Sequence, residues 1–189
     1  MKKVFIIHGF NGEPNGGWRP WLMGELAKQN IYACALPMPR PDAPIKEEWV
    51  KTISDAVGSP NEEIFLVGHS LGVPAILRYL ESLSDGQKIG GAILVSGPIN
   101  EIKRDGYSYV NNFLNTPFNY RQIKNVCEKF VIIHGVDDPA VSYKEAEELA
   151  KSLSCSLIPI PNGKHLNGSA GFYKLPELLD SLSEMIKNS

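Results

Sequence analysis

Residues 64–83 constrain the fold more than any other part of the chain. The run Ile64-Phe65-Leu66-Val67 is wholly apolar, and Gly68-His69-Ser70-Leu71-Gly72 follows it without a break. Apolar residues then recur at helical spacing as far as residue 83. This order predicts a strand, a sharp turn and a helix, with Ser70 in the turn.

The glycines on both sides of Ser70 indicate that this turn presents a reactive serine. A serine in a strained backbone conformation needs neighbours that pass close to one another, and Gly68 and Gly72 meet that need. The Ser70 hydroxyl would then project above the sheet, and the Leu71 amide, at the positive start of the helix, could face an oxyanion. The alternative is a glycine-flanked serine in an ordinary strand-to-helix turn. The position between strand and helix favours a nucleophile elbow.

Length and composition exclude several classes of protein. The 189 residues are enough for a single domain, residues 1–189, with a sizeable core. A formal net charge of −2 offers no basic surface to nucleic acid or to an anionic membrane. The first apolar run, residues 4–7, is too short for a signal peptide or a membrane span. Three cysteines, at spacings that match no disulfide or metal framework, favour a reducing, cytoplasmic setting.

Apolar runs typical of buried strands alternate with amphipathic stretches along the whole chain. We predict strands at residues 4–7, 31–36, 64–67, 91–95, 130–133 and 156–160. Helices are predicted at about residues 18–29 and 45–57, after the elbow, after Ser142 and at 175–186, with Ser142 and Glu145 forming a capping box. This pattern predicts an α/β fold, a parallel sheet of about six strands with helices on both faces.

Residues 99–125 form the least regular segment of the chain. It contains five aromatic residues among many polar ones: Tyr107, Tyr109, Phe113, Phe118 and Tyr120. These aromatics either line a substrate pocket or hold a long loop against the body of the protein. The segment is too short for a separate domain.

A serine needs a base before it becomes a good nucleophile, and the base needs a partner that fixes its tautomer. Of the four histidines, His8 and His134 each end a strand, and His69 adjoins Ser70 and so points away from it. His165 lies in a glycine-flanked loop after the last strand. Because functional groups gather at the carboxyl ends of parallel strands, His165 is the predicted base.

Two adjacent aspartates, Asp137 and Asp138, follow the fifth strand. Together with Ser70 and His165 they give the order serine, aspartate, histidine, which predicts a catalytic triad. Aspartates before a proline are also a common turn signal, and a loop histidine is often only solvated. The joint occurrence of all three at strand ends favours the triad.

The loop after the first strand is the predicted source of a second oxyanion donor. It begins His8-Gly9-Phe10-Asn11, and the backbone amide of Phe10 is the predicted donor, with Asn11 as the alternative. The role needs only a backbone amide, so the side chain can be apolar. His8 itself is predicted to be a structural histidine with its ring nitrogens satisfied.

Motifs along essentially the whole chain resemble the small serine hydrolases related to retinoblastoma-binding protein 9. They are Val-Phe-Ile-Ile-His-Gly-Phe at residues 4–10, Trp18 and Trp21, Gly68-His69-Ser70-Leu71-Gly72, Ile123-Lys124-Asn125-x-Cys127, Asp137-Asp138-Pro139 and Gly163-x-His165. The resemblance implies a compact α/β-hydrolase without a large cap domain, and a triad of Ser70, Asp138 and His165. The family's spacing Gly-x-x-Asp-x-x-Val fits Gly135, Asp138 and Val141 and does not fit Asp137.

The family takes its name from a protein partner recognised through a Leu-x-Cys-x-Glu motif. Residues 125–129, around Cys127, do not match that motif, so no protein partner is carried over. The expected function is cleavage of a small ester, thioester or amide through an acyl-enzyme, with a small acyl substrate and with neither metal nor cofactor. The alternative is a catalytically weak hydrolase scaffold that acts as a protein-binding module.

Overall fold

The computed structural model describes residues 1–189 and contains one sheet of six parallel strands in the order β2-β1-β3-β4-β5-β6. The strands are β1 (Lys3–Ile7), β2 (Tyr32–Ala35), β3 (Ile64–His69), β4 (Gly91–Val95), β5 (Phe130–Gly135) and β6 (Ser156–Ile160). The predicted parallel sheet of about six strands is therefore confirmed.

Seven α-helices connect or follow these strands. They are α1 (Arg19–Lys28), α2 (Lys46–Val57), α3 (Gly72–Ser82), α4 (Ser108–Asn111), α5 (Tyr120–Val126), α6 (Tyr143–Leu153) and α7 (Pro176–Lys187). None of them combines the length and the apolar character that crossing a bilayer requires. The connection between β4 and β5 holds only α4 and α5, so no large cap covers the sheet.

The core lies on both faces of the sheet because successive strand residues point to opposite sides. Ile7 of β1 belongs to a cluster of 32 buried residues that includes Trp49 of α2, whereas Ile6 belongs to a cluster of 18 that includes Leu22 of α1 and Leu182 of α7. Each large apolar side chain buried in this way contributes about 1.5–3 kcal/mol to folding. Helices therefore cover both faces, as the sequence predicts.

β5 is two residues longer than the apolar pattern predicts. It continues through His134 and Gly135, which pair with Pro159 and Ile160 of β6. The apolar run ends at Ile133, so the pattern contains no sign of these last two positions. The extension carries the acidic loop after β5 next to the loop after β6.

The predicted capping box at the start of α6 does not form. The Ser142 hydroxyl accepts a hydrogen bond from the Lys144 amide at 3.3 Å, so Ser142 does cap the helix. The Glu145 carboxylate, however, accepts hydrogen bonds from the amides of Ile99 and Asn100, at 2.9 and 3.0 Å. Glu145 thus fixes the start of the β4–β5 connection instead of completing the cap.

The aromatic residues of the β4–β5 connection divide between the two predicted roles. Phe113 and Phe118 are buried in the core, where Arg78 of α3 donates to the Phe113 carbonyl and lies 3.9 Å from the Phe118 ring centroid. These residues hold the connection against the body of the protein. Tyr107 instead lines a cleft beside Ser70, and Tyr109 is 46% exposed.

Candidate active site

Ser70 stands at the turn between β3 and α3, with a left-handed backbone at φ 54°. A Cβ atom at Gly68 would lie 2.8 Å from the backbone of Gly72, and one at Gly72 would lie 2.3 Å from the carbonyl oxygen of Ile7. Neither distance leaves space for a side chain. The two glycines are thus required by close backbone approach, while the strained conformation is that of the serine.

His165 lies between Ser70 and Asp138. Its Nε2 atom is 3.0 Å from the Ser70 hydroxyl oxygen, and its Nδ1 atom is 2.8 Å from Oδ2 of Asp138. With Nδ1–H donating to Asp138, Nε2 can accept the serine proton. The geometry is that of a nucleophile, a general base and a residue that orients the base.

The Asp138 carboxylate has a partner for each oxygen. Its side chain is fully buried, Oδ1 accepts from the amides of Ala140 and Val141 at 2.8 and 3.1 Å, and Oδ2 accepts from His165. Burial by itself raises the pKa of Asp138, but the hydrogen bonds from His165 and from the two amides outweigh it and lower the pKa. Asp138 is therefore ionised at neutral pH and can stabilise a protonated imidazole.

Asp137 contacts the same loop in a different way. Its Oδ1 atom accepts from the Lys164 amide at 2.9 Å, and it forms no hydrogen bond with the imidazole of His165. A Cβ atom at Gly135 would lie 2.0 Å from the Lys164 carbonyl oxygen, so the loops after β5 and β6 meet backbone to backbone. One aspartate holds the backbone of the histidine loop and the other holds the imidazole.

The backbone amides of Phe10 and Leu71, the two predicted oxyanion donors, donate no hydrogen bond within the protein. The alternative donor, Asn11, already donates to the Pro41 carbonyl at 2.7 Å. A Cβ atom at Gly9 would lie 2.8 Å from the Cβ of Ser70, so the loop that carries Phe10 rests directly against the serine.

His8 is a satisfied structural histidine, as predicted. Its Nδ1 atom lies 2.8 Å from the Gly9 carbonyl oxygen, and Nε2 accepts from the Met38 amide at 3.3 Å. Burial lowers the pKa of the His8 imidazole, which favours the neutral form.

His69 and His134 are buried histidines that support the site. His69 donates from Nε2 to the carbonyl of His165 at 2.9 Å, and burial with the nearby His165 lowers the pKa of His69 to about 3. His134 donates from Nε2 to the Val141 carbonyl at 3.1 Å, and its Nε2 lies 3.5 Å from Asp138. Burial lowers the pKa of His134, so both rings are neutral at pH 7.

Two clefts of opposite character meet at Ser70 and His165. The polar cleft, of about 440 Å³, is lined by residues 9–13 and 15–17, Arg19, His69, residues 167–169 and Tyr173. The apolar cleft, of about 280 Å³, is lined by Leu71, Pro98, Ile102, Tyr107, Val110 and residues 140–141. Phe10 and Asn11 contribute to both.

The polar cleft contains functional candidates that the sequence patterns do not indicate. Arg19 is the most unusual of them, because its charged side chain is buried. It stands in the first turn of a helix between two tryptophans, where a pattern predicts an exposed arginine. No group of three or more histidine, cysteine, aspartate or glutamate side chains is arranged to hold a metal ion.

Residues 4–184 match the sequence model of a protein family, the serine hydrolase family. The chain belongs to this serine hydrolase family. Among its relatives, the Bacillus subtilis protein YdeN is 34% identical over 182 residues, which cover 96% of this chain and 95% of YdeN. Serine hydrolase RBBP9 of Rattus norvegicus is 25% identical over 183 residues, covering 95% of each chain. The predicted family is confirmed, and the protein is a hydrolase.

Solved structures agree with this family. The crystal structure of the YdeN gene product of Bacillus subtilis superposes with a TM-score of 0.93 at 33% identity, covering 99% of this chain and 100% of that one. A monoacylglycerol lipase of Paleococcus ferrophilus superposes with a TM-score of 0.74 at 15% identity, covering 99% and 95%. The second likeness concerns the fold alone, which is that of the α/β-hydrolases.

Proposed function

We propose that this serine hydrolase cleaves a small ester, thioester or amide through an acyl-enzyme formed on Ser70. The observation that supports this most is the position of His165, whose two ring nitrogens lie 3.0 Å from the Ser70 hydroxyl and 2.8 Å from Asp138. A hydroxyl, an imidazole and a buried carboxylate in this order make up the machinery of acyl transfer.

In the first half of the reaction the Ser70 oxygen attacks the acyl carbon while its proton passes to Nε2 of His165. The ionised Asp138 stabilises the resulting imidazolium through the Nδ1 hydrogen bond. The tetrahedral intermediate then collapses, the bond to the leaving group breaks, and Nε2 returns the proton to that group. The acyl group remains as an ester on Ser70.

In the second half a water molecule replaces the leaving group. His165 takes a proton from the water, the hydroxide attacks the acyl carbon, and the Ser70 oxygen leaves with the proton from Nε2. The products are a carboxylic acid and the free enzyme. Every step uses the same base in alternating roles.

The amides of Phe10 and Leu71 are the proposed oxyanion hole. Both amides lack a hydrogen-bond partner in the protein, and both belong to residues beside Ser70. Donors of this kind act on charge that develops in the transition state, and removal of one donor typically costs about 10²–10³ in kcat.

Labelling with a fluorophosphonate probe tests the proposal. The wild-type protein should be labelled, and the Ser70→Ala variant should not. Ser96→Ala is a matched control, since Ser96 also has a left-handed backbone at the end of a strand, φ 48°, but is fully buried. Ser96→Ala should still be labelled. Absence of label on the folded wild-type protein would overturn the proposal and favour the protein-binding module.

A further inference from the structure

Arg19 is a buried cation in the wall of the cleft that also contains the proposed nucleophile, Ser70. The residue is only 6% exposed, and it lines the polar cleft together with Ser70 and His165. Its Nε atom donates to the Glu13 carbonyl at 3.1 Å, which is its one side-chain hydrogen bond. It forms no salt bridge with any carboxylate of the chain.

A guanidinium carries five N–H donors, so four of those of Arg19 have no partner in the protein. Burying a cation without a salt-bridge partner is costly. Desolvation by burial lowers the pKa of Arg19 to about 10, although the charge of Glu13 acts in the opposite direction, and the side chain stays protonated at neutral pH. The folded chain thus holds a positive charge with four of its donors unused.

The surroundings of Arg19 fix its place relative to the catalytic histidine. The preceding residue, Trp18, is fully buried and donates from its indole nitrogen to the Leu166 carbonyl at 2.9 Å. The start of α1 is therefore attached to the residue that follows His165. The Arg19 guanidinium also lies 5.8 Å from the Trp18 ring centroid, which limits its freedom to turn away.

The two clefts differ in the charge that they offer a substrate. The apolar cleft has no lysine, arginine, aspartate or glutamate in its wall, so it suits an uncharged acyl group. The polar cleft has two charged residues in its wall, the buried Arg19 and the exposed Glu13. A planar guanidinium with free donors matches a carboxylate, which accepts two parallel hydrogen bonds.

We propose that Arg19 binds a carboxylate on the leaving group of the substrate, while the apolar cleft takes the acyl group. The substrate class is then an ester, thioester or amide formed between a small uncharged acyl group and a hydroxy, thiol or amino acid. This inference rests on the proposed function for the identity of the two substrate halves. It adds the charge of the leaving group and the residue that recognises it.

Binding to the Ser70→Ala protein tests this without any turnover. The probes are butanoyl esters of glycolate and of 4-hydroxybenzoate, a short and a long spacer, each compared with its own neutral methyl ester by calorimetry. At least one carboxylate should bind about 10- to 100-fold more tightly than its methyl ester. Equal binding of acid and methyl ester for both spacers would overturn the inference.

Adding Arg19→Gln to the Ser70→Ala background should bring the ratio of the two affinities, carboxylate over methyl ester, close to one. Arg121→Gln, which removes the same charge from an exposed position on α5, is the matched control and should keep the preference. Glu13→Gln should increase it, because a competing carboxylate is removed from the cleft. A preference that survives Arg19→Gln, or that Arg121→Gln lowers equally, would contradict a specific site.

The side of the substrate that carries the charge is tested with ethyl hydrogen succinate, whose carboxylate is on the acyl group. Arg19→Gln should leave its affinity, relative to diethyl succinate, unchanged. An Arg19-dependent preference for this ester alone would overturn the leaving-group assignment.

Folding and the proposed function are controlled separately. Thermal melting shows whether Arg19→Gln folds, and Arg19→Lys, which keeps the charge without the fork of donors, should lower the preference about 3- to 10-fold. If Arg19→Gln does not fold, a full preference in Arg19→Lys overturns the inference. If the wild-type protein hydrolyses none of the esters, the proposed function fails, while the binding ratios still decide the role of Arg19.

Discussion

The two clefts that meet at Ser70 differ in how the chain builds them. The apolar cleft is walled largely by the β4–β5 connection and the end of the loop before α6. The polar cleft is walled by the loop after β1, the start of α1 and the loop after β6. Because the two walls share only Phe10 and Asn11 besides Ser70 and His165, we expect the two halves of a substrate to be recognised by largely separate parts of the chain.

The largest expected effect belongs to the residue that both clefts share. Ser70→Ala should abolish acyl transfer, a loss of at least about 10³-fold, for esters that differ in either half. It should leave the fold intact, since it removes one oxygen from a partly exposed turn. Steady-state rates with two unrelated esters measure this. Retention of one activity in Ser70→Ala would mean that the clefts serve different nucleophiles.

The two aspartates provide the next largest contrast. Asp138→Asn offers an amide that can donate to the imidazole and favours the wrong tautomer, so kcat should fall by about 10³–10⁴-fold for all substrates alike. Asp137→Asn keeps an acceptor for the Lys164 amide and should cost less than about tenfold. Both variants are measured with one activated ester. The assignment of the acid is wrong if Asp137→Asn is the more damaged.

The volume of the apolar cleft sets an expectation for acyl length. A cleft of about 280 Å³ with no cap domain above it should accept short or aromatic acyl groups better than long chains. We expect kcat/KM for 4-nitrophenyl butanoate to exceed that for the dodecanoate by about tenfold or more. Faster turnover of the dodecanoate would show that acyl groups bind elsewhere.

Tyr107 and Tyr109 separate the two roles of the β4–β5 connection. Tyr107 lines the apolar cleft, with its ring centroid 6.1 Å from that of Phe10, whereas Tyr109 is 46% exposed and outside the cleft. Tyr107→Ala should raise KM for an aromatic acyl ester about 5- to 20-fold, through loss of aromatic contact. Tyr109→Ala should change KM less than about twofold. Equal effects would remove Tyr107 from acyl recognition.

The smallest effect is expected in stability at acid pH. The pKa of Asp138 is lower in the folded protein than in the unfolded chain, so its stabilising contribution is present above the unfolded pKa and is lost as pH falls through the folded pKa. The stability difference between wild type and Asp138→Asn should therefore be largest at neutral pH and narrow below about pH 4. Urea unfolding at several pH values measures it. A difference that widens on acidification would contradict the ionised form.

The alternation of apolar runs is enough to predict the sheet, because a buried parallel strand needs an apolar residue at nearly every position. The pattern fails where local and tertiary signals compete. At Glu145 the sequence spacing predicts a capping box, yet the carboxylate binds the amides of Ile99 and Asn100 from a distant connection. A contact between residues so far apart in the chain cannot be predicted from the spacing of residues within one helix.

The catalytic candidates are predicted better than the walls around them. Ser70 and His165 each have glycines two or three residues away on both sides and follow a predicted strand, which is a signal visible in the sequence alone. Arg19 has no such signal, because an arginine in a first helical turn is ordinarily solvated. Its burial depends on how the loop after β1 folds over it.

The start of α5 could have been predicted from the sequence, because asparagine is a favoured residue before the first turn of a helix. Asn119 occupies that position, and its side-chain oxygen accepts a hydrogen bond from the Gln122 amide at 3.1 Å.

Ser70 is one of several residues with a left-handed backbone, and these residues are unevenly distributed between the two edges of the sheet. Nine residues other than glycine have positive φ, and seven of them follow the carboxyl ends of strands: Asn11, Arg40, Ser70, Ser96, Asn162, Lys164 and Leu166. Each such residue that is not asparagine costs about 1 kcal/mol. The opposite edge of the sheet carries only the remaining two, Asn30 and Ser154, so the chain is least relaxed at the edge where the chemistry is proposed to take place.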